Sequence, residues 1–334
     1  MREKIPDRIS EYINFRNNQK HLFTAGPASL TDKNLKGLRP CFGRGDKDYE
    51  DIENFVLNKL KDLSGHEKII RFQGSASLAL EIITLNFLYG DILIISTGFY
   101  SDRLIKLVNN AKKSLKQIKK INIVEYKELD KISGRYNWIV SCYTETSRGL
   151  KISLKTLKSK AIQFKSKIML DATASIGLES DHFLADVIGY SSCKGLFGLT
   201  GAAFIAYNKD PINEVDSFYL NFENHLEKRM TGPYHAICSL FEILKEYEKY
   251  KNTVIENKNK FLIKFKKYIN IPIENQPLLC TFTTCRVLAE TDKAILYSPR
   301  GLKNGSIVCH LGEVHLGELA KGELINILQP SESN

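Results

Sequence analysis

The stretch Tyr190-Ser-Ser-Cys-Lys194-Gly-Leu-Phe-Gly-Leu-Thr-Gly201 connects two apolar segments, 185–190 and 202–207, which have the composition of buried β-strands. Lys194 stands between them among small and apolar residues. A lysine amine in such surroundings is a usable nucleophile, although a single lysine is more often an ordinary surface residue. The glycines of the stretch allow a tight turn or a close approach to a ligand. The stretch therefore predicts a loop between two strands that presents one lysine.

Outward from this loop, short apolar strands alternate with helical patterns between residues 48 and 207. Further strands are predicted at 68–72, 91–96, 121–125, 136–143 and 167–170, and helices at 75–88, 101–110 and 154–165. This alternation predicts an α/β fold with a mostly parallel central sheet and helices on both faces. The ligands of such sheets bind at the carboxyl ends of the strands.

The pattern changes after residue 213. A Lys/Glu-rich helix is predicted at 232–268, short β-segments at 279–284, 294–298 and 306–310, and a last helix at 317–328. We therefore predict three parts: an N-terminal segment (1–20) that packs on the small lobe, a large ligand-binding domain (21–213), and a smaller C-terminal α+β domain (214–330).

Composition narrows the class of protein. The net charge is +10, but the lysines are spread along the 334 residues and form no single basic patch, so we expect no nucleic-acid partner. The apolar runs are too short to cross a membrane, and the N-terminus lacks an apolar secretion signal, so we expect a cytoplasmic protein. Seven cysteines without a CxxC pair predict neither a disulfide framework nor a metal site.

Polar residues follow several of the predicted strands. Gly74, Ser75, Ala76 and Ser77 lie where a strand ends and a helix begins, so free backbone N–H groups and the helix dipole predict an anion site, with an ordinary helix cap as the alternative. Asp171 follows another strand, where it either caps a helix or bonds a pyridine nitrogen and keeps it protonated.

Two more loops follow strands in the same way. Tyr100 lies in the segment 96–103, where an aromatic side chain is suited to cover a planar ring. Thr146 lies in the segment 141–149. An ordinary polar loop is the alternative in both cases.

The order of these motifs is more specific than any one of them. An anion loop, an aromatic residue, Glu-Thr, an aspartate and a lysine, each at a strand end, resemble fold-type I pyridoxal-phosphate (PLP) enzymes. Within these, the chain is similar to the class V aminotransferases, and most of all to the 2-aminoethylphosphonate–pyruvate transaminase group. The resemblance runs from Leu22 to about Gly317 and rests on five segments: Leu22-Phe-Thr-Ala-Gly-Pro27, Thr97-Gly-Phe-Tyr-Ser-Asp-Arg103, Glu145-Thr-Ser-Arg-Gly149, Asp171-Ala-Thr-Ala-Ser-Ile-Gly177 and Ser191-Ser-Cys-Lys-Gly-Leu-Phe-Gly-Leu-Thr-Gly201.

The resemblance implies pyridoxal 5′-phosphate as cofactor and a role for each matching residue. Lys194 carries the cofactor covalently and moves a proton, and Asp171 pairs with the pyridine nitrogen. Gly74, Ser75, Ala76 and Ser77 hold the phosphate. Tyr100 stacks on the ring, Thr146 bonds near the phenolic oxygen, and Ser192 supports the phosphate or the lysine.

The resemblance also implies a homodimer with shared active sites. Thr231 and His235 match a segment that reaches the phosphate of the partner subunit, although Tyr234 stands where the family usually has threonine. The family's C-terminal Arg-Ile-Gly binds the anionic group of the substrate, and we align it with His310-Leu311-Gly312, so that His310 replaces the arginine. Arg44 and Arg300 are the nearest candidates for the missing positive charge.

The resulting functional hypothesis is a PLP-dependent aminotransferase. It moves an amino group between a small anionic amine, similar to 2-aminoethylphosphonate, and a 2-oxo acid. A PLP-dependent lyase or decarboxylase acting on a small phosphonate or carboxylate is the first alternative. A non-catalytic α/β binding module with a degenerate site is the second.

Overall fold

A seven-stranded sheet forms the centre of the protein in the computed structural model, which describes residues 7–27, 30–39, 45–312, 314 and 323–331. In spatial order its strands are β2 (Lys68–Gln73), β10 (Ala202–Tyr207), β9 (Val187–Ser191), β8 (Lys167–Asp171), β5 (Trp138–Cys142), β3 (Gly90–Ser96) and β4 (Ile118–Glu125). Strand β10 runs antiparallel to both of its neighbours, and the other adjacent pairs are parallel. The predicted mostly parallel sheet is confirmed.

Burial explains the composition of these strands. Every residue of β5, β9 and β10 is buried, as expected for strands covered on both faces. Consecutive side chains point to opposite faces, so Ile92 and Ile94 pack into one hydrophobic core while Leu93 and Ile95 pack into another. Strand β4 lies at the sheet edge and has several exposed positions.

Helices cover the sheet on both faces. The helices are α1 (Asp7–Asn17), α2 (Asp32–Lys36), α3 (Lys47–Ser64), α4 (Ala76–Asn86), α5 (Phe99–Ser114), α6 (Leu154–Phe164), α7 (Phe222–Leu226), α8 (Tyr234–Leu244) and α9 (Tyr247–Lys264). Helices α4, α5 and α7 contribute to one core, and α3, α6, α8 and α9 contribute to the other. No helix in the described ranges is long and apolar enough to cross a membrane.

The C-terminal part is built from short strand pairs. Strand β1 (His21–Phe23) runs parallel to β13 (Ala294–Leu296), β11 (Cys280–Thr283) pairs with β14 (Ser306–Cys309), and β12 (Arg286–Ala289) pairs with β15 (Leu328–Ser331). A separate small hairpin pairs β6 (Thr144–Glu145) with β7 (Leu150–Lys151). A third hydrophobic core lies under this C-terminal part and includes side chains of β1, α9 and β15.

Domain boundaries stay a prediction, but several contacts cross them. Strand β1 pairs with the C-terminal segment, although it lies within the range predicted for the large domain. Beyond residue 213, α7 packs on β2 and α8 packs on α3. The elements that follow residue 213 therefore take part in covering the central sheet.

Two predicted helices differ in the structure. The helix predicted at 232–268 is divided into α8, α9 and a final 3-10 turn, Lys266–Tyr268. The break turns Tyr247 and Tyr250 towards Phe197, with ring centroids 5.9 and 5.7 Å apart. Of the helix predicted at 317–328, the described end is a 3-10 turn, Leu324–Ile327, which leads into β15. Pairing with β12 there outweighs the local helical pattern.

Candidate active site

Asp171 is a firmly held carboxylate at the carboxyl end of β8. Only 5% of the residue is exposed. Its Oδ1 accepts hydrogen bonds from the backbone N–H of Thr173, at 2.9 Å, and from the Thr173 hydroxyl. Its Oδ2 accepts a hydrogen bond from the guanidinium of Arg103. Both oxygens therefore have partners, and the side chain has a defined direction at the edge where ligands of parallel sheets bind.

Lys194 lies in the loop after β9, next to the strand that carries Asp171. Its Nζ is 5.1 Å from the centroid of the Tyr100 ring. The loop is held by the hydroxyl of Tyr247, which donates to the carbonyl of Gly195 at 2.8 Å. A Cβ at Gly195 would lie 2.4 Å from the carbonyl oxygen of Ile176, so glycine permits this packing against the turn that follows Asp171.

Glu145 holds the start of α5, the helix that carries Tyr100. Only 1% of Glu145 is exposed. Its Oε2 accepts hydrogen bonds from the backbone N–H groups of Tyr100 and Ser101, at 3.0 and 3.2 Å, and from the Thr97 hydroxyl at 3.3 Å. Its Oε1 accepts from the backbone N–H of Ser147, at 3.2 Å, and from the Ser147 hydroxyl. A negative charge at a helix N-terminus is favourable, so this carboxylate fixes the first turn of α5.

Arg103 lies one helical turn after Tyr100 and connects three parts of the site. One terminal nitrogen donates to Asp171, and the other donates to the hydroxyl of Ser77 at 3.2 Å. The guanidinium carbon is 5.5 Å from the centroid of the Tyr100 ring. Burial lowers the pKa of Arg103, but the charge and hydrogen bond of Asp171, together with the neighbouring Cys142 and Tyr100, leave the pKa raised. The sequence motif contained Arg103 but assigned it no function.

The segment from Gly74 to Ser77 forms the N-terminus of α4, as predicted from the sequence. Ser75 is the N-cap residue, with φ −92° and ψ 168°, but its hydroxyl makes no capping hydrogen bond to the helix. The backbone N–H of Gly74 donates to the carbonyl of Gly201 at 2.9 Å, which fixes the turn beside the Lys194 loop. The N–H groups of the first turn and the Ser75 hydroxyl are thus arranged as in other anion sites at helix ends.

Tyr100, Thr146 and Tyr297 lie side by side and form one side of the site, which we call the aromatic wall. Thr146 is 1% exposed, and among the described residues its Oγ1 has no hydrogen-bond partner of good geometry. Tyr297, from the loop after β13, lies beside the hydroxyls of Tyr100 and Thr146. Burial and the neighbouring Tyr100 raise the pKa of Tyr297. The sequence offers no local signal for Tyr297, because the C-terminal part of the chain brings it to the site.

Comparison with known proteins yields structures but no sequence families. No family model matches the sequence, and no curated protein is detectably similar to it. Alanine–glyoxylate aminotransferase from Nostoc sp. superposes with a TM-score of 0.75 at 15% identity, over 92% of each chain. Ureidoglycine–glyoxylate aminotransferase from Bacillus subtilis gives a TM-score of 0.71 at 16% identity, over 89% of this chain and 90% of that one. Aspartate aminotransferase from Thermus thermophilus gives 0.74 at 16% identity, over 92% of this chain and 96% of that one.

The protein has the fold of the fold-type I aminotransferases. At identities of 15 and 16%, the likeness concerns the fold and confirms the predicted architecture. In this aminotransferase fold, the strand ends bring together Lys194, Asp171, Tyr100 and Thr146, together with the start of α4.

The remaining residues predicted for the cofactor lie in different environments. The hydroxyl of Ser192 donates to the carbonyls of Leu199 and Ala202 and thereby stabilises the Lys194 loop from within. Thr231, just before α8, and His235, in its first turn, are exposed. Neither is a hydrogen-bond partner of Asp171 or Glu145. The ring of Tyr234 packs on Tyr49, with centroids 4.4 Å apart.

The residues predicted to bind substrate lie in different environments. Arg300 is exposed and lines a cleft of about 580 Å³, which also contains Phe99 and Arg148. Its guanidinium carbon is 5.3 Å from the centroid of the Phe99 ring, and Phe99 directly precedes Tyr100. The cleft therefore adjoins the aromatic wall of the candidate site. Arg44 lies outside the described residues.

His310 faces away from the site and into the C-terminal part. It is 1% exposed, its Nε2 lies 2.9 Å from the Thr281 hydroxyl, and its ring packs on Phe261 at 5.3 Å. Burial lowers its pKa to about 3, so the ring is neutral at pH 7. The preceding residue, Cys309, belongs to the core shared with the Lys194 loop. Burial raises the pKa of the Cys309 thiol, and the amine of Lys194 acts in the opposite direction. Strand alternation thus places Cys309 in the core shared with the Lys194 loop and His310 against Phe261.

Proposed function

We propose that this protein is a PLP-dependent aminotransferase. One observation carries the proposal: the side chains of Lys194, Asp171 and Tyr100 meet at the carboxyl edge of the sheet. The Lys194 amine lies 5.1 Å from the centroid of the Tyr100 ring, and Arg103 joins that ring to Asp171. An amine, a buried carboxylate and an aromatic face are the three groups that a pyridine-aldehyde cofactor requires from the protein.

Several polar atoms in the site fit this cofactor. The Ser75 hydroxyl makes no capping bond, and within the described ranges the Thr146 hydroxyl and the Arg103 Nε have no hydrogen-bond partner of good geometry. Buried polar groups are normally satisfied, so the unpaired atoms of Thr146 and Arg103 indicate a polar ligand. Ser75 is exposed, and its hydroxyl adds a polar group at the helix end. The start of α4 suits a phosphate, Thr146 suits a phenolic oxygen, and Asp171 suits a protonated ring nitrogen.

Each residue then has a defined task. When bound, PLP supplies an electron sink that stabilises negative charge at the substrate carbon. Lys194 would hold the cofactor, and its amine would take the proton from that carbon and hold it for return. Asp171, held by Thr173, would keep a negative charge for a protonated ring nitrogen, and Tyr100 would offer an aromatic face to the cofactor. The hydrogen bonds of Glu145 keep Tyr100 in place.

The proposed substrates are a small anionic amine, similar to 2-aminoethylphosphonate, and a 2-oxo acid. Arg300 is positioned to bind the anionic group from the cleft beside Phe99, and Arg44 remains the second candidate. The position of Cys309 supports an alternative reaction. The end of β14, aligned with the family's arginine, carries a buried thiol and no arginine, which favours a PLP-dependent lyase or decarboxylase if Arg300 does not bind the substrate.

We further propose that the active enzyme is a homodimer. The exposure of Thr231 and His235 at the start of α8 supports a contact with a partner subunit. Mixing the inactive variants Lys194→Ala and His235→Ala should restore part of the activity through hybrid dimers. An active protein that is strictly monomeric by light scattering would contradict the proposal.

The cofactor test uses the purified protein and added PLP. We expect a visible absorbance band, and borohydride should attach the cofactor permanently to Lys194. Lys194→Ala should lose this attachment, while the exposed control Lys106→Ala should keep it. Conversion to the pyridoxamine form by an amino donor alone identifies a transaminase, and its absence with product formation identifies a lyase. A wild-type protein that binds no PLP supports the non-catalytic binding module.

A further inference from the structure

Arg103 lies between the two anionic positions of the proposed cofactor site. One of its terminal nitrogens donates to Asp171, and the other donates to the hydroxyl of Ser77 at 3.2 Å, in the first turn of α4. Its third nitrogen, Nε, is buried and has no hydrogen-bond partner among the described residues. A guanidinium has five N–H donors, so most of its capacity is unused.

The distribution of charge in the site indicates which ligand the unused donors of Arg103 suit. Gly74, Ser75, Ala76 and Ser77 offer backbone N–H groups and hydroxyls, but none of them carries a positive charge. A phosphate dianion at this helix end therefore needs a cation from elsewhere. Arg103 already contacts the loop through Ser77, and the planar fork of a guanidinium matches two oxygens of a phosphate.

A contact between Arg103 and a phosphate would not leave Asp171 without a counter-charge. Without a ligand, Arg103 supplies the counter-charge for this carboxylate, of which 5% is exposed. A protonated ring nitrogen supplies a second positive charge at the same place. Arg103 can then direct its donors to the phosphate while Asp171 remains neutralised.

We propose that Arg103 is a ligand of the cofactor phosphate. The inference rests on the proposed function. Tyr234, which replaces the family's threonine, packs its ring on Tyr49 within the chain.

The experiment compares pyridoxal 5′-phosphate with pyridoxal, which lacks the phosphate. Dissociation constants of both are measured by absorbance titration for the wild type, Arg103→Gln, Arg103→Lys and the control Arg135→Gln. Arg135 is exposed on the loop before β5, at the amino end of that strand, whereas the candidate site lies at the carboxyl ends. Thermal unfolding of the cofactor-free variants shows whether they are folded.

We expect Arg103→Gln to weaken PLP about ten- to hundredfold, the effect of one lost charged hydrogen bond, and to weaken pyridoxal much less. Arg103→Lys keeps the charge but not the fork, so its preference for PLP should fall between those of wild type and Arg103→Gln. It also provides the test if Arg103→Gln does not fold. Arg135→Gln should resemble the wild type.

The inference is overturned if the ratio of the two dissociation constants is the same in every folded Arg103 variant as in the wild type. Arg103 would then serve only as the counter-ion of Asp171, and the dissociation constants of both ligands would change by the same factor. A wild type that binds neither ligand through Lys194 would overturn the proposed function itself. The two failures are therefore distinguishable.

Discussion

The carboxylate of Glu145 lies 3.0 Å from the backbone nitrogen of Tyr100 and accepts a hydrogen bond from it. This bond connects the loop after β5 with the first turn of α5, and therefore ties Thr146 to Tyr100. The approach is close: a Cβ at Gly98, whose φ is 150°, would lie 2.8 Å from the Glu145 Cγ. Glycine and a buried glutamate thus fix together the aromatic wall of the site.

Glu145→Gln should loosen this wall. Each carboxylate oxygen accepts at least two hydrogen bonds, and an amide has one oxygen, so the NH₂ group of glutamine would face backbone N–H groups in either orientation. Leaving buried donors unpaired costs about 1–3 kcal/mol each. We expect a loss of this order in the free energy of unfolding in urea, together with weaker PLP binding. The exposed control Glu128→Gln should change neither quantity, and an unchanged Glu145→Gln would show that the turn is held by other contacts.

Asp171→Asn should preserve the fold but slow proton transfer. Asparagine keeps the size of the side chain and can still accept from Thr173, but it removes the negative charge that favours a protonated ring nitrogen. Loss of a charge-assisted hydrogen bond corresponds to about a ten- to hundredfold slower exchange of the substrate's α-proton with solvent. This exchange is measurable by NMR in deuterated buffer. Asp130→Asn, on a side chain that is 85% exposed, is the matched control. Equal exchange rates in Asp171→Asn and the wild type would remove Asp171 from this role.

Most of the fold could be predicted from periodicity. Strands buried on both faces are continuous apolar runs, and those around Lys194 and Asp171 have this form, which placed both residues at strand ends. The division between α8 and α9 has no such signal, since no glycine or proline separates Leu244 from Tyr247. It depends on the packing of Tyr247 and Tyr250 against Phe197, a contact over about fifty residues of sequence.

The sequence could predict only those site residues that belong to a local motif. Arg103 and Glu145 lie within sequence motifs, but their tasks depend on which side chains of other segments they contact. Tyr297 comes from the C-terminal part and has no motif. The alignment of His310 with a substrate-binding arginine relied on spacing, whereas the register of β11 with β14 places His310 beside Thr281.

The buried ring of His310 should make stability depend on pH. Its pKa is lowered from 6.5 to about 3 by burial, so below pH 6.5 the unfolded chain binds a proton that the native protein does not. Stability is therefore full above pH 6.5 and falls as the pH drops towards 3. At pH 5 the loss from this group is about 2 kcal/mol. His310→Gln, which can still bond Thr281, should reduce the difference in unfolding free energy between pH 8 and pH 5 by that amount. A His310→Gln profile parallel to the wild type would refute the prediction.

Arg300 should determine the affinity for an anionic substrate. Its guanidinium lies 5.3 Å from the Phe99 ring, in the cleft beside the aromatic wall, whereas His310 is neutral and buried. A transaminase binds its donor's anion in a partly desolvated site, where an arginine fork is the most suitable partner. Arg300→Gln should therefore leave the PLP spectrum intact and raise KM about thirty- to a hundredfold, the effect of losing about 2–3 kcal/mol. Lys303→Gln, an exposed residue of the same loop, removes an equal charge and should have little effect. Arg44→Gln is tested in parallel. If both arginine variants match the wild type with every active amino donor, the anion is bound elsewhere or absent from the substrate, and the lyase becomes the better explanation of the site.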